Sequence, residues 1–234
     1  RDGSTVAHEI GHTFQYLVSC DLGTSHGFNY GYGDNASGGN GWWESCANWQ
    51  AYKCYPNMQF TDGENFEAHL KFHHLNLLHE DWRYQNCFIQ DYWCMKHGSD
   101  FIGRLWRESK KPEDPVEAYK RLNKLDQAAF CDEQMEGYMR MATWDIDGVR
   151  DQAKHRIGQH VSHLHLAASK EGTWEVDSAY CPQNYGYSII NLNTTAPGTI
   201  VKAYFKGIAG AKGYRAINID KAGWRYGFVA YSAN

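Results

Sequence analysis

Ser4-Thr5-Val6-Ala7-His8-Glu9-Ile10-Gly11-His12-Thr13-Phe14-Gln15 is the stretch on which the reading of the chain turns. Within it, His8-Glu9-Ile10-Gly11-His12 is an H-E-x-x-H pattern. Residues four apart share one face of an α-helix, so both imidazoles can be aimed at a single ion. Glu9 sits beside them and is placed to take a proton from a metal-bound water. Two histidines and such a base are the smallest set for zinc-assisted hydrolysis. The surroundings ask for a helix: Ser4-Thr5 offers an N-cap, and Val6, Ala7, Ile10, Phe14, Leu17 and Val18 recur at helical spacing. The bland alternative is a structural helix carrying two hydrogen-bonded histidines.

A third ligand has to come from elsewhere. The extended pattern H-E-x-x-H-x-x-G-x-x-H needs Gly and His where Gln15 and Val18 stand, so the metzincin arrangement is excluded. The run Trp42–Tyr52 is helical in pattern, rich in apolar residues, and follows a glycine-rich loop ending at Gly41. Its one acid, Glu44, would complete a His8, His12, Glu44 set and leave the fourth tetrahedral position to water. Asn48 lies one turn later and can hydrogen-bond the far nitrogen of a ligand histidine, fixing its tautomer. Glu44 could instead be a surface acid, but its neighbours Trp42, Trp43 and Trp49 argue against a solvated face.

On these residues, Val6–Gln15 followed by Trp43-Glu44-Ser45-Cys46-Ala47-Asn48-Trp49, the chain resembles the gluzincin zinc metallopeptidases. It is most similar to secreted bacterial enhancin-like or mucin-targeting forms, and to a poorly characterised secreted family with a β-rich C-terminal part. The resemblance covers roughly the first 150 residues. It implies zinc held by His8, His12 and Glu44, with Glu9 as general base, and a secreted, extracellular or periplasmic location. Gluzincins also use a Tyr or His from a later helix to steady the oxyanion. The segment Arg83–Trp93 resembles that part of the family, which points to Tyr84, with His79 and Tyr92 in reserve. A packing role for Tyr84 stays open. The resemblance departs in one respect. Such domains place a β-sheet before the metal helix, whereas only seven residues precede His8. With an ending, Val229–Asn234, that reads like an interrupted strand, the expectation is a fragment of a longer protein whose leader would lie upstream.

The 234 residues suffice for one large domain or two small ones, and 42% hydrophobic residues suffice for a core. Nine Trp and sixteen Tyr are more than a core needs; they could stack on sugars, although packing is the commoner use. A formal net charge of −4 speaks against a nucleic-acid partner. No apolar run approaches the ~20 residues that span a membrane. Seven cysteines are scattered without a C-x-x-C, so no zinc ribbon is indicated. Cys46/Cys54 and Cys87/Cys94 cannot bridge within continuous helices; buried thiols and disulfides elsewhere remain equally open, and so does the compartment.

Residues 1–158 read mainly as helices. After the metal helix, the loop Cys20–Gly41 with its seven glycines is long enough to be a functional rim or lid, with His26 in it. Helices are expected at the Glu44 run, near Glu64–His79, Asn86–Lys96, Ser99–Lys110, Asp114–Leu122, Leu125–Met141 and Asp147–Ile157. From about His160 the pattern alternates: Val161–Leu166, Thr199–Phe205, Tyr214–Ile219 and Trp224–Tyr231 read as strands between turns. The expected architecture is α+β, a helical gluzincin-like catalytic part over 1–158 followed by a small antiparallel β-domain, a sandwich, over 159–234. His69 and His73 stand four apart without an intervening acid, and a solvent-facing helix side explains them more cheaply than a second metal; the same holds for the strand histidines His163 and His165, with His160 ahead of them.

The function these readings converge on is a zinc-dependent endopeptidase acting on proteins or glycoproteins, with His8, His12 and Glu44 on the metal, Glu9 as base and Tyr84 on the oxyanion. The rival is a glycan- or protein-binding module on an inactive peptidase scaffold, which would not need Glu9. The sequence names neither substrate nor oligomeric state.

Overall fold

The computed structural model describes residues 3–29, 40–60, 63–192, 196–207 and 223–231. Among them the chain is mainly helical: α1 (Gly3–Leu22), α2 (Asn40–Cys54), α3 (Gly63–Phe72), α4 (Phe88–His97), α5 (Phe101–Arg107), α6 (Pro115–Asn123), α7 (Gln127–Thr143) and α8 (Arg150–Ala153). A single antiparallel pair, β1 (Leu166–Ala168) and β2 (Trp174–Val176), follows with Leu166 opposite Val176. Helix limits follow local chemistry. Asp114 caps α6 by accepting from the Val116 and Glu117 amides, while Glu117 reaches back to the Asp114 amide and Pro115 supplies the preset first turn. Asp126 caps α7 by accepting from the Ala129 amide. The helix expected over 64–79 stops at Phe72, because the carbonyls of His73 and His74 are taken by the amides of Tyr187 and Gln183.

Helix α1 packs most extensively against α2. They approach closely at Gly11: a Cβ there would lie 3.2 Å from the Ala47 Cα and collide with the Gln50 carboxamide oxygen. Gly11 and Gln15 are the buried residues of α1. The apolar positions Val6, Ile10, Phe14 and Leu17 face outward and are 41–58% exposed. The helical period is as expected, but the face turned to the protein is the one bearing His8, Gly11, His12 and Gln15. Ser4 and Thr5 lie in the first turn, since the helix already runs at Gly3.

Behind α2 the core is aromatic. Trp82, Trp93, Trp144, Tyr92 and Tyr119 are fully buried, and Phe60 stacks on Phe88 at 5.1 Å while meeting Trp144 edge-on at 4.9 Å. Such pairs add about 0.5–1.5 kcal/mol each to the burial of the rings. Asp91 of α4 is buried and joins α4 to α2 by an ion pair with Lys53 and a hydrogen bond from Trp49 Nε1. Burial pushes the Asp91 carboxyl up, with Lys53 opposing. The seven cysteines are all free thiols.

The β expectations require correction. Of Val161–Leu166 only Leu166 enters a strand, and Thr199–Phe205 and Trp224–Tyr231 carry none; Tyr214–Ile219 lies outside the described residues. Alternation gives a segment one apolar face, but a strand also needs a neighbour to take its amides and a layer to cover that face. Ile200 and Tyr204 are 84% and 90% exposed, so neither condition is met, and no sandwich is present among the described residues. No described helix is long and apolar enough to cross a membrane.

Candidate metal centre

Helices α1 and α2 bring His8, His12 and Glu44 together. His8 Nε2 lies 3.0 Å and His12 Nε2 3.2 Å from Glu44 Oε2, and the two Nε2 atoms are 3.1 Å apart. Arms of about 2.0–2.1 Å to a tetrahedral zinc place ligand atoms about 3.3–3.4 Å from one another, so the triangle is nearly the size the ion demands.

The hydrogen bonds around the triangle fix what these atoms offer. Asn48 gives its amide N–H to the Tyr84 carbonyl (2.7 Å) and Gln15 gives its own to the Trp43 carbonyl (2.9 Å). A carbonyl can only accept, so the amide oxygens must be the atoms facing His8 Nδ1 (2.7 Å) and His12 Nδ1 (2.8 Å). Each Nδ1 therefore carries the hydrogen, and each Nε2 presents a lone pair. Two lone pairs and a carboxylate oxygen meet with no donor among them, an arrangement that requires a cation or a proton.

Without an ion, protons answer that demand. The hydrogen bond to Glu44 raises His12 above the ordinary imidazole value, with burial opposing and Gln15, Glu44 and Glu9 contributing further. Burial alone would push the Glu44 carboxyl up, yet hydrogen bonds to His12 and His8 hold it at about 2. Both directions report a pocket that favours positive charge.

Glu9 is exposed, next to His8 and three residues before His12, hence on the open side of the helix near both. The Tyr84 ring lies beside the site, its centroid 6.1 Å from that of His8, with the Arg83 guanidinium 4.9 Å over its face; Tyr84 is 36% exposed. Its backbone carbonyl, through Asn48, is already part of the ligand support. The reserves sit elsewhere: Tyr92 is buried with its hydroxyl on Glu136, and His79 caps a 3-10 turn by accepting from the Asp81 amide. His26 is tied to the end of α5 through the Arg107 carbonyl.

A second group was missed. His69 and His73 do not face solvent: both are fully buried, and with His160 they form a cluster that can hold a metal ion. Burial pushes His69 and His73 well below the ordinary imidazole value and His160 down to about 4, so all three are neutral near pH 7. The sequence carried half the signal, the His69/His73 spacing. His160 stands 87 residues further on, and nothing local announces that approach.

The profile of the family of unknown function DUF6055 matches residues 1–234, and the chain belongs to that family. Neither the curated proteins nor the solved structures gave a match.

Proposed function

We propose that the protein is a zinc-dependent hydrolase of peptide bonds, acting on proteins or glycoproteins at the His8–His12–Glu44 centre. One observation carries the reading: two imidazoles of fixed tautomer and a carboxylate oxygen converge at nearly tetrahedral spacing, beside an exposed glutamate on the helix of the two histidines. The resemblance of Val6–Gln15 and Trp43–Trp49 to gluzincin motifs supports the reaction class.

His8, His12 and Glu44 would hold a zinc ion, which would supply Lewis acidity toward a carbonyl oxygen and would lower the pKa of the attacking water to about 7. The protein's own groups do the rest. Asn48 and Gln15 hold the imidazoles in the tautomer that leaves Nε2 free. Glu9 accepts a proton from the attacking water as its oxygen bonds to the carbonyl carbon. The same carboxyl then returns that proton to the amine nitrogen as the C–N bond breaks. Tyr84, standing over His8, donates its hydroxyl hydrogen to the oxygen on which charge develops.

Glu9→Gln is the test. The amide is nearly isosteric and cannot take the proton, so zinc content and the melting profile should match the wild type while release of peptides from labelled casein and mucin falls by about 10²–10⁴-fold. Equal turnover in the variant removes Glu9 from the mechanism. A zinc-loaded wild type that cleaves neither substrate contradicts the peptidase reading and favours a binding module on this scaffold.

A further inference from the structure

We propose that His69, His73 and His160, with Tyr187 as the oxygen partner, form a second and structural site for a divalent transition-metal ion of imidazole preference, zinc foremost. The argument starts from the hydrogens. His69 Nδ1 donates to the Gln85 carbonyl (2.7 Å) and His160 Nδ1 to the Met141 carbonyl (2.9 Å), so both Nε2 atoms carry lone pairs. Both point at one atom, the Tyr187 hydroxyl oxygen, at 2.9 and 2.7 Å. That hydroxyl has one hydrogen for two acceptors. His73 leaves a further atom unpaired: Ser162 lies at its Nε2 at 2.5 Å, and its Nδ1 is buried without a hydrogen-bond partner. A buried polar atom left unpaired is costly, and this cluster holds two: one of the Nε2 lone pairs facing the Tyr187 hydroxyl, and His73 Nδ1.

A cation removes the shortfall. One nitrogen of each ring lies within 4.8 Å of those of the other two. Contracting to the ~3.4 Å edges of tetrahedral zinc requires shifts of about 0.8 Å or less per ring. Three imidazoles and a phenol oxygen are donors that zinc, copper, nickel and iron accept, and that calcium and magnesium do not seek. On coordination the phenol O–H gives its proton to solvent and the oxygen bonds the ion, which also lowers the net charge placed in the core. The surroundings suit a structural ion rather than a reactive one: Trp144 stacks on His160 at 4.9 Å, and Phe88 meets His69 edge-on at 4.9 Å. The backbone is shaped for it as well. A Cβ at Gly186 would run into the His74 carbonyl, and that close approach seats Tyr187 over the cluster. The ion would thereby fasten the 160–189 segment to α3.

The experiment removes the first centre and counts metal. His8→Ala/His12→Ala, refolded with zinc and desalted, should retain about one zinc per chain where the wild type holds about two. Adding His73→Phe, which keeps the ring stacked on Tyr187, should bring the count to about zero. A double variant that refolds and holds no zinc overturns the proposal, as does a folded triple variant that keeps it. Should the triple variant fail to fold, cobalt in the double variant decides. The visible d–d bands of four-coordinate cobalt bear the site out, and their absence overturns it. A wild type and double variant that each hold one zinc would sink the first centre and leave this one standing.

Discussion

Asn48 and Gln15 settle which nitrogen each histidine of the α1–α2 centre offers. Their own amide hydrogens are spent on the backbone carbonyls of Tyr84 and Trp43, so neither amide can turn over. Asn48→Ala frees the His8 ring and its tautomer and should weaken zinc binding about 10–100-fold, read by competition with a chromogenic chelator, with the helical circular dichroism unchanged. An affinity equal to the wild type would show that the tautomer is fixed by something else. Tyr84→Phe should lower kcat by about 10–10³-fold with zinc content unaltered, as expected for loss of one oxyanion donor. A kcat left intact would make Tyr84 a packing residue. At this scale the sequence was partly legible. Asn48, one turn after Glu44, could be read as a tautomer-fixing partner, and its bond to His8 is found. Gln15 could not, because its partner is a backbone carbonyl twenty-eight residues away and a carbonyl has no residue signature.

Helix positions were legible and helix faces were not. Period and caps are local, so most helical runs of the first 158 residues could be located from spacing alone, with errors where long-range bonds to Gln183 and Tyr187 end α3 early and where the run expected over Asp147–Ile157 shrinks to α8 and a 3-10 turn over Lys154–Arg156. Which side of α1 turns inward depends on α2. The apolar spacing invited Val6, Ile10, Phe14 and Leu17 inward, whereas the ligand side is the buried one, with Gly11 close against the Ala47 backbone. Gly11→Leu tests this directly. A branched side chain against the Ala47 backbone must push α1 from α2 and part His8 and His12 from Glu44. The variant should lose zinc affinity at this centre by at least about tenfold and melt at lower temperature. Unchanged affinity would mean that the helix pair does not set the ligand triangle. The strands failed for the converse reason. Thr199–Phe205 alternates well, but pairing is a relation to another segment, and Ile200 and Tyr204 find none among the described residues.

Among the described residues, an aromatic core surrounds one cluster that could hold a metal ion, and a second such cluster lies nearer the surface. The abundance of Trp is spent mainly on packing: Trp42, Trp43, Trp82, Trp93, Trp106 and Trp144 are buried, while Trp174 is 69% exposed. Trp144 touches Phe60, Phe88 and His160, and Trp144→Ala should cost about 3–5 kcal/mol in urea unfolding; a loss below about 1 kcal/mol would mean that the core repacks around the gap. The buried histidines belong to this scale, since His69 and His160 become neighbours only after α3, α7 and the 160–189 segment have packed. The central claim is that His8, His12 and Glu44 hold a zinc ion, and anomalous diffraction from zinc-loaded crystals across the zinc edge tests it most directly. The account predicts a peak about 2.0–2.2 Å from His8 Nε2, His12 Nε2 and a Glu44 oxygen, with a fourth position open toward Glu9. Loaded crystals with no peak there, or with Glu44 turned more than about 6 Å from both imidazoles, would contradict it.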